Sequence, residues 1–362
     1  MHLITRFLDG GAESTTENEI HALSNMGTDV ELHLGVGRSY NRERIKAVSD
    51  SGVAIHVFRS IRHYSPFTAV IAVLHVAFHL RKNEIDILHT HSTEAGIIGR
   101  FAGHIARTST IIHEVHGDPI TSDRNRLIRV FILNMEKLAA KTTDIMVVKS
   151  KNIQVDYLER GIGTRDQYQI IRHGVDVDRF RNAEEAHLTF SGNNNILFVG
   201  RLVPGKGIHD LIDAFAELSD EKDVHLYLAG DGNISEYRQY VSEAGARKRV
   251  HFLGHRSNIP ELMKSTDVFV LPSYREGTPR VITEARAAGL PIVATEIGGI
   301  PDQLSDAKYS WLFTPGDVGE LSTIIEEALE TEMSESTQRQ KIDKFSKSKS
   351  LSLYKSLYDD LI

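Results

Sequence analysis

The chain has no cysteine among its 362 residues, which excludes disulfide cross-links and any zinc site built on thiolates. It also lacks a long apolar run. The longest, TAVIAVLHVAFHL, is interrupted by His75 and His79 and falls short of the ~20 residues that a membrane-spanning helix needs. No basic domain or stripe is present, so nucleic acid is not an expected partner. No repeat of ~20–50 residues and no long low-complexity tract breaks the pattern. Met1 leads straight into a strand-like run, without the apolar core of a signal peptide. A soluble, cytoplasmic chain is the expectation.

What is present is the composition of a globular protein, 41% hydrophobic and 25% charged. The length suits two domains of ~100–200 residues each. The net charge of −7 is uneven. Residues 1–182 carry 23 Lys+Arg against 21 Asp+Glu, and the remainder carries 19 against 28. A slightly basic first half permits contact with an anionic membrane surface without demanding it.

Short apolar runs alternate with amphipathic stretches, the pattern of parallel sheets with crossover helices. HLITRF, VELHLGV, VAIHVF, IDILHTH, TIIHEVHG and DIMVVKS are strand candidates in the first half. NILFVG, VHLYLAG, VHFLG, VFVLPS and PIVAT are those of the second. Several end in Gly, Ser or His, at the strand edge where open α/β sheets bind ligands. The polar stretch Asn182–Asn195 reads as a linker or exposed connection. The closing LSLYKSLYDDLI is apolar at helical spacing.

Three constellations carry chemistry. In NILFVGRLVPGKGIHDLIDAF a strand, a Gly-rich turn beginning at Gly200 and a helix place Arg201 and Lys206 beside free helix N–H groups. A guanidinium fork, a point charge and a helix terminus together suit a diphosphate. The spacing is neither a Walker A motif nor GxGxxG, so neither ATP hydrolysis nor NAD binding follows. In REGTPRVITEA, Thr278 and Pro279 read as the N-cap and first residue of a helix that Gly289 ends. Glu276 then lies just before that helix and Glu284 in its second turn, with the free N–H groups of Arg280 and Val281 beside them, a setting for a polyhydroxylated anion. Gly10-Gly11 follows the first strand and permits close backbone approach, or is simply a tight turn.

The histidines of HTHS (His89, His91) and HEVHG (His113, His116) gather near one sheet edge. HEVHG is not HExxH, and hydrogen-bonding or core roles are expected rather than metal ligation. Asp176 and Asp178 in RHGVDVDRF look like a DxD metal motif but are expected to cap a helix or turn. No metal and no cofactor is therefore expected, and Arg201, Lys206 and the helix start at Arg280–Val281 could meet leaving-group charge without an ion.

The ordered set GGAE, HTHS, HEVHG, RHGVDVDRF, LFVGRLVPGKG, LAGDGN, HFLGHRSNI and VFVLPSYREGTPRVITEARAAGLPIVATEIGGIPD resembles the retaining glycosyltransferases of family 4, group 1. The resemblance implies an α/β GT-B fold, two Rossmann-like domains facing across a cleft, with a C-terminal helix crossing back. Residues 1–175 with 345–362 would form the acceptor domain and 176–344 the nucleotide-sugar domain. It further implies that Arg201 and Lys206 hold the donor diphosphate, that Glu276 contacts the transferred sugar and that Glu284 binds the ribose. Gly277, Thr278 and the following backbone, Pro279 to Val281, would line sugar and phosphate. Gly10 and Gly11 would admit the diphosphate, His116 would sit beside the donor sugar, and Arg256, with His255, would lie near the base. Arg172-His173 stands where the family has Pro-Asn. The implied partners are a nucleotide-sugar, UDP-linked by expectation, and a glycan or lipid-linked acceptor. Retention of configuration follows from the resemblance; no glycosidase-like carboxylate pair is evident. The helix-like stretch Arg124–Lys141 is either an ordinary packed helix or a peripheral membrane contact. A sugar-nucleotide epimerase and a non-catalytic partner subunit are the alternatives.

Overall fold

The computed structural model of the chain describes residues 1–8, 10–24, 30–61, 66–118, 120, 125–186, 193–218, 223–339 and 341–361. The chain divides into two compact units, Met1–His173 with Ser348–Ile362, and Gly174–Lys347. Of the polar stretch 182–195, residues 187–192 lie outside the described residues.

The first unit is built on a parallel sheet of β1 (His2–Phe7), β2 (His33–Tyr40), β3 (Ala54–Val57), β4 (Ile87–His91), β5 (Thr110–Glu114), β6 (Ile145–Val148) and β7 (Tyr168–Ile170). Their order is β3-β2-β1-β4-β5-β6-β7. Parallel neighbours need crossover connections, which the intervening helices supply. Burial of Leu3, Ile4, Leu88, Ile112 and Val147 contributes ~1.5–3 kcal/mol per large side chain. Between helices Thr93–Ala106 and Arg126–Ala140, a fully buried ion pair joins Arg100 to Glu136 at 2.6 Å. The helix Lys347–Asp359 packs Tyr354, Leu357 and Tyr358 against Leu23, Ile112, Val147 and Ile171.

In the second unit the parallel strands are β8 (Asn194–Val199), β9 (Val224–Ala229), β10 (Val250–Gly254), β11 (Val268–Leu271), β12 (Ile292–Thr295) and β13 (Ser310–Phe313), ordered β10-β9-β8-β11-β12-β13. Both sheets therefore reverse direction of growth beside their first strand, between β1 and β4 and between β8 and β11. Such switch points open a crevice at the carboxyl ends of the strands. The eleven expected strands all form. The sequence reading missed β7 and β13, edge strands of three and four residues that are only partly buried and so lack the continuous apolar run of a central parallel strand.

Candidate functional site

At the switch point of the second unit, two loops meet. After β8 comes Gly200–Val203, then a 3-10 turn Pro204–Lys206 and Gly207, whose φ of +65° opens the helix Ile208–Ala216. After β11 runs Pro272–Pro279. Gly207 lies so close to Pro272 that a Cβ would strike its carbonyl oxygen, and the Tyr274 N–H donates to the Gly205 carbonyl at 3.1 Å. This close approach brings Lys206 onto Glu276. The ammonium meets Oε1 at 2.5 Å, with the side chains only 22% and 11% exposed. The Ser273 hydroxyl donates to the same oxygen at 2.8 Å. Both partners hold Oε1, so Oε2 is the oxygen left for a ligand. Arg201 is exposed at the same strand end and has no side-chain partner among the described residues.

The helix after this loop begins one residue later than expected. It spans Arg280–Ala288, with Pro279 as N-cap at φ −68° and ψ 122°, and Thr278 lies outside it. The cause is distant in sequence. The Gln303 amide donates to the Pro279 carbonyl at 2.9 Å, and the Gly299 N–H donates to the Gly277 carbonyl at 2.5 Å, holding the preceding backbone extended. The buried Thr278 hydroxyl is thereby left without a hydrogen-bond partner. Gly289, at φ +92°, ends the helix as expected. The side chain of Arg280 reaches back to the Gly174 carbonyl at 3.0 Å, and Val281 packs on the core. Burial raises the pKa of Glu284 above the usual carboxylate value, with the charges of Arg280 and Arg179 opposing. Glu276 and Glu284 thus answer to different cations. Arg256 sits in the loop after β10, its Nε buried without a partner, and His255 is exposed.

Gly10, Gly11 and His116 belong to the first unit. Gly11 opens the helix Gly11–Ser24, and a Cβ there would meet open space. His116 follows β5 and lines a cavity of about 360 Å³ with Thr5, Ala12, Ser92, Glu94 and Gly117. Ser92 stands at φ 65° and ψ 160°, a region that side-chain-bearing residues rarely occupy and that clusters at functional sites. The Ser92 and Thr5 hydroxyls lie 2.7 Å apart. The unusual His173 is buried and lies nearly parallel to His116, ring centres 6.3 Å apart.

The histidines are assembled as hydrogen-bonded groups. His2, Glu19, His89 and His91 place ligand-type atoms within 4.8 Å of one another, as do His33, His56 and His79, and His91, Glu114 and His116. Two of the ring pairs lie nearly coplanar, nitrogen to nitrogen. His2 Nδ1 is 3.0 Å from His91 Nε2 with planes 12° apart and centres 5.2 Å apart. His33 and His56 repeat that geometry at 2.9 Å and 13°. Nitrogens aimed at each other form N–H···N bonds, whereas metal ligands aim their lone pairs at a shared third point. His113 is bonded to the Thr90 hydroxyl at 3.0 Å. Asp176 caps helix Val177–Arg181 by accepting from the Arg179 N–H, the role expected of it.

Ser273, Ser92, Glu114 and Lys149 escaped the sequence reading. Only their positions at strand ends marked them, a signal that many residues share.

Two family models tile this chain: Glycosyltransferase Family 4 over residues 9–179, and Glycosyl transferases group 1 over residues 180–349. The chain belongs to the family-4, group 1 glycosyltransferases. Among its relatives, the UDP-Gal:alpha-D-GlcNAc-diphosphoundecaprenol alpha-1,3-galactosyltransferase of Escherichia coli is 28% identical over 78% of this chain and 77% of its own. The N-acetyl-alpha-D-glucosaminyl L-malate synthase of Bacillus anthracis is 28% identical over 84% and 82%. In fold, HepE of Anabaena, crystallised with UDP, superimposes with a TM-score of 0.79 at 22% identity over 99% of each chain. The glycosyltransferase therefore has the GT-B fold with two Rossmann-like halves, and it is a sugar-transferring enzyme. The epimerase and non-catalytic alternatives fall away.

Proposed function

We propose that this glycosyltransferase moves a hexose or N-acetylhexosamine, with retained configuration and without a metal, from a UDP-sugar to a glycan or lipid-linked saccharide. The observation that carries the proposal is the Lys206–Glu276–Ser273 knot at the switch point of the second sheet. It sets a cation and an anchored carboxylate beside the start of helix Arg280–Ala288, where free N–H groups favour anions. UDP as carrier is supported by the E. coli relative, named for UDP-Gal, and by the UDP-bound HepE.

In this reading the bond between the anomeric carbon and the diphosphate oxygen breaks with its electron pair leaving on the phosphate. Arg201, Lys206 and the N–H groups of Arg280 and Val281 meet that charge; donors preorganised in this way are often the largest catalytic contribution. The acceptor oxygen bonds to the anomeric carbon on the face the phosphate leaves, and its proton passes to the departing oxygen. Glu276 Oε2 holds sugar hydroxyls and Glu284 the ribose, with Gly277 and Thr278 lining the sugar. Gly200 lets backbone approach the diphosphate, and Arg256 faces the base.

The acceptor belongs to the first unit, where Glu13, Glu94 and Asp118 line the cavity and offer acceptors to saccharide hydroxyls. A lipid-linked acceptor is favoured by two exposed apolar faces. Helix Pro66–Lys82 exposes Val70, Ile71, Leu74 and Phe78, and helix Arg126–Ala140 exposes Leu127, Ile128, Val130 and Phe131. Both pack beside helix Thr93–Ala106. No helix among the described residues is long and apolar enough to cross a membrane, so these faces suit peripheral contact at the cytoplasmic membrane face.

The test is mass-spectrometric turnover of UDP-, GDP- and ADP-sugars in EDTA by the wild type, Arg201→Ala and Glu276→Ala. Metal-independent consumption of one UDP-sugar, lost in both variants, is expected. Turnover that EDTA abolishes, or that survives Arg201→Ala and Glu276→Ala, would overturn the assignment.

A further inference from the structure

The first unit contains a closed circuit of buried polar groups that reaches His116. His2 Nδ1 lies 3.0 Å from His91 Nε2, and His91 Nδ1 lies 3.1 Å from His116 Nε2. At the other end His2 Nε2 is 3.4 Å from the Tyr358 hydroxyl, which is 2.7 Å from His89 Nδ1. The circuit closes on one carboxylate. Glu114 Oε1 is 3.3 Å from His116 Nε2, and Glu114 Oε2 is 3.4 Å from His89 Nε2. Glu114 in turn is held by Lys149 at 2.5 Å and by the Tyr354 hydroxyl at 2.7 Å.

The protons of this circuit can be placed. Burial lowers the pKa of each of the four histidines, His116 to about 4, so each ring is neutral, with one N–H to donate and one lone pair to accept. The chain must then run wholly in one direction or wholly in the other. Burial would raise Glu114, but Lys149 and the surrounding histidines hold it well below the usual carboxylate value, so it is an anion that only accepts. The two contacts to Glu114 are too poorly aligned to count as hydrogen bonds. Its field still decides the direction, because a lone pair facing the carboxylate is repelled while an N–H is attracted. His116 therefore carries its proton on Nε2. His91 then accepts at Nδ1 and donates from Nε2 to His2, His2 donates from Nε2 to Tyr358, and Tyr358 donates to His89. His89 is left with its N–H on Nε2, again facing Glu114. The order given leaves one lone pair, on His91 Nδ1, 4.0 Å from the anion; the reverse order would turn the two nearer ones, at 3.3 and 3.4 Å, toward it. The adjoining Glu19 does not compete. Burial first, and then Glu114, raise its pKa far above the carboxylate range, so it is neutral.

One atom is left over. His116 Nδ1 is buried and has no hydrogen-bond partner. We propose that Glu114, His91, His2, Tyr358 and His89 are positioning residues that lock His116 as the Nε2–H tautomer, so that Nδ1 accepts a hydrogen bond from a hydroxyl of the saccharide. This rests on the proposed sugar-transfer site. It gives the C-terminal helix, through Tyr358, a part in substrate recognition, and it makes the site select for a hydroxyl at that position.

Long-range proton–nitrogen correlation NMR on the full chain labelled with 15N-histidine tests the circuit without any substrate, with His116 assigned from the missing signals of His116→Gln. A lone-pair-type Nδ1 and a protonated Nε2, unchanged between pH 6 and 8, are expected. An Nδ1–H tautomer, an averaged signal or a charged ring in the wild type would overturn the proposal, as would stoichiometric metal on the purified protein. In Glu114→Gln the amide can donate to Nε2, so His116 should switch to Nδ1–H. With the donor found by the turnover panel, kcat/KM should fall about 5- to 150-fold, the range expected for one lost buried hydrogen bond. Tyr358→Phe severs His89 from the circuit while Glu114 still faces His116, so Nε2–H should remain the major form with a measurable Nδ1–H fraction; absence of that fraction would show that Tyr358 takes no part and overturn its assignment. The correct tautomer in a protein that turns over no donor would support the circuit and remove the function on which its purpose rests.

Discussion

Lys206→Ala tests the reading of the second unit most directly. The substitution removes a 2.5 Å ion pair and leaves Glu276, only 11% exposed, with Ser273 as its remaining partner. Stripping one partner from a fully buried pair costs ~3–5 kcal/mol. Here Lys206 is about a fifth exposed and solvent screens the pair, so a loss of about 1–3 kcal/mol is expected. For a unit of this size, ~2–4 °C per kcal/mol turns that into a fall in Tm of roughly 2–12 °C. Activity should fall more steeply. If Lys206 meets the charge of the leaving diphosphate, kcat should drop ~10²–10³-fold. A double-mutant cycle with Glu276→Gln separates the two effects. The stability losses should be sub-additive by at least ~0.5 kcal/mol, because each variant removes the same contact. Addition of UDP should raise Tm in the wild type and less in Lys206→Ala. The assays are differential scanning fluorimetry with and without UDP, and steady-state turnover. Additive losses, with UDP stabilisation and turnover both intact, would refute the idea that this pair is part of the donor site.

Acidification should weaken the first unit before the second. The folded-state pKa of His116 is about 4, against 6.5 in an unfolded chain, so the unfolded state binds the proton first. The stability it confers is complete above pH 6.5 and is lost as pH falls toward 4, by up to about 3 kcal/mol. Buried His2, His89 and His91 act in the same sense, which fluorescence melts between pH 4 and 8 would show as a falling first transition. Arg100→Met should cost ~3–5 kcal/mol by leaving Glu136 charged and buried, measurable by urea unfolding, whereas Arg100→Met with Glu136→Leu should recover much of that loss. Gly298→Ala forces a side chain at φ +53° into the carbonyl oxygens of Glu276 and Gly277. A loss of ~1–3 kcal/mol and weaker UDP binding by calorimetry are expected. Phe78→Ser with Leu127→Ser should abolish sedimentation with phosphatidylglycerol vesicles while leaving turnover of a soluble donor intact; equal sedimentation of variant and wild type would exclude these faces.

Much of this protein was determined by its sequence alone, because the signals are local. Apolar runs of four to eight residues alternating with amphipathic helices dictate parallel sheets, and the Gly-rich turn at 200–207 and the helix stop at Gly289 are written in neighbouring residues. The places of Arg201, Lys206 and Glu276 in the loops after β8 and β11, and of Glu284 in the helix that follows, were legible for the same reason. Other features depended on which strands become neighbours, and only the tertiary structure decided them. Lys206 finds Glu276 because β8 and β11 are adjacent, although 70 positions separate the two residues. The start of the next helix moved to Arg280 because Gln303 and Gly299 claim carbonyls in the preceding loop. His2, His91, His116 and Tyr358 lie apart in sequence and meet only because β1, β4 and β5 stand side by side with the last helix against them. A histidine's type shows that it can donate and accept. Which nitrogen does each depends on the carboxylate it meets after folding.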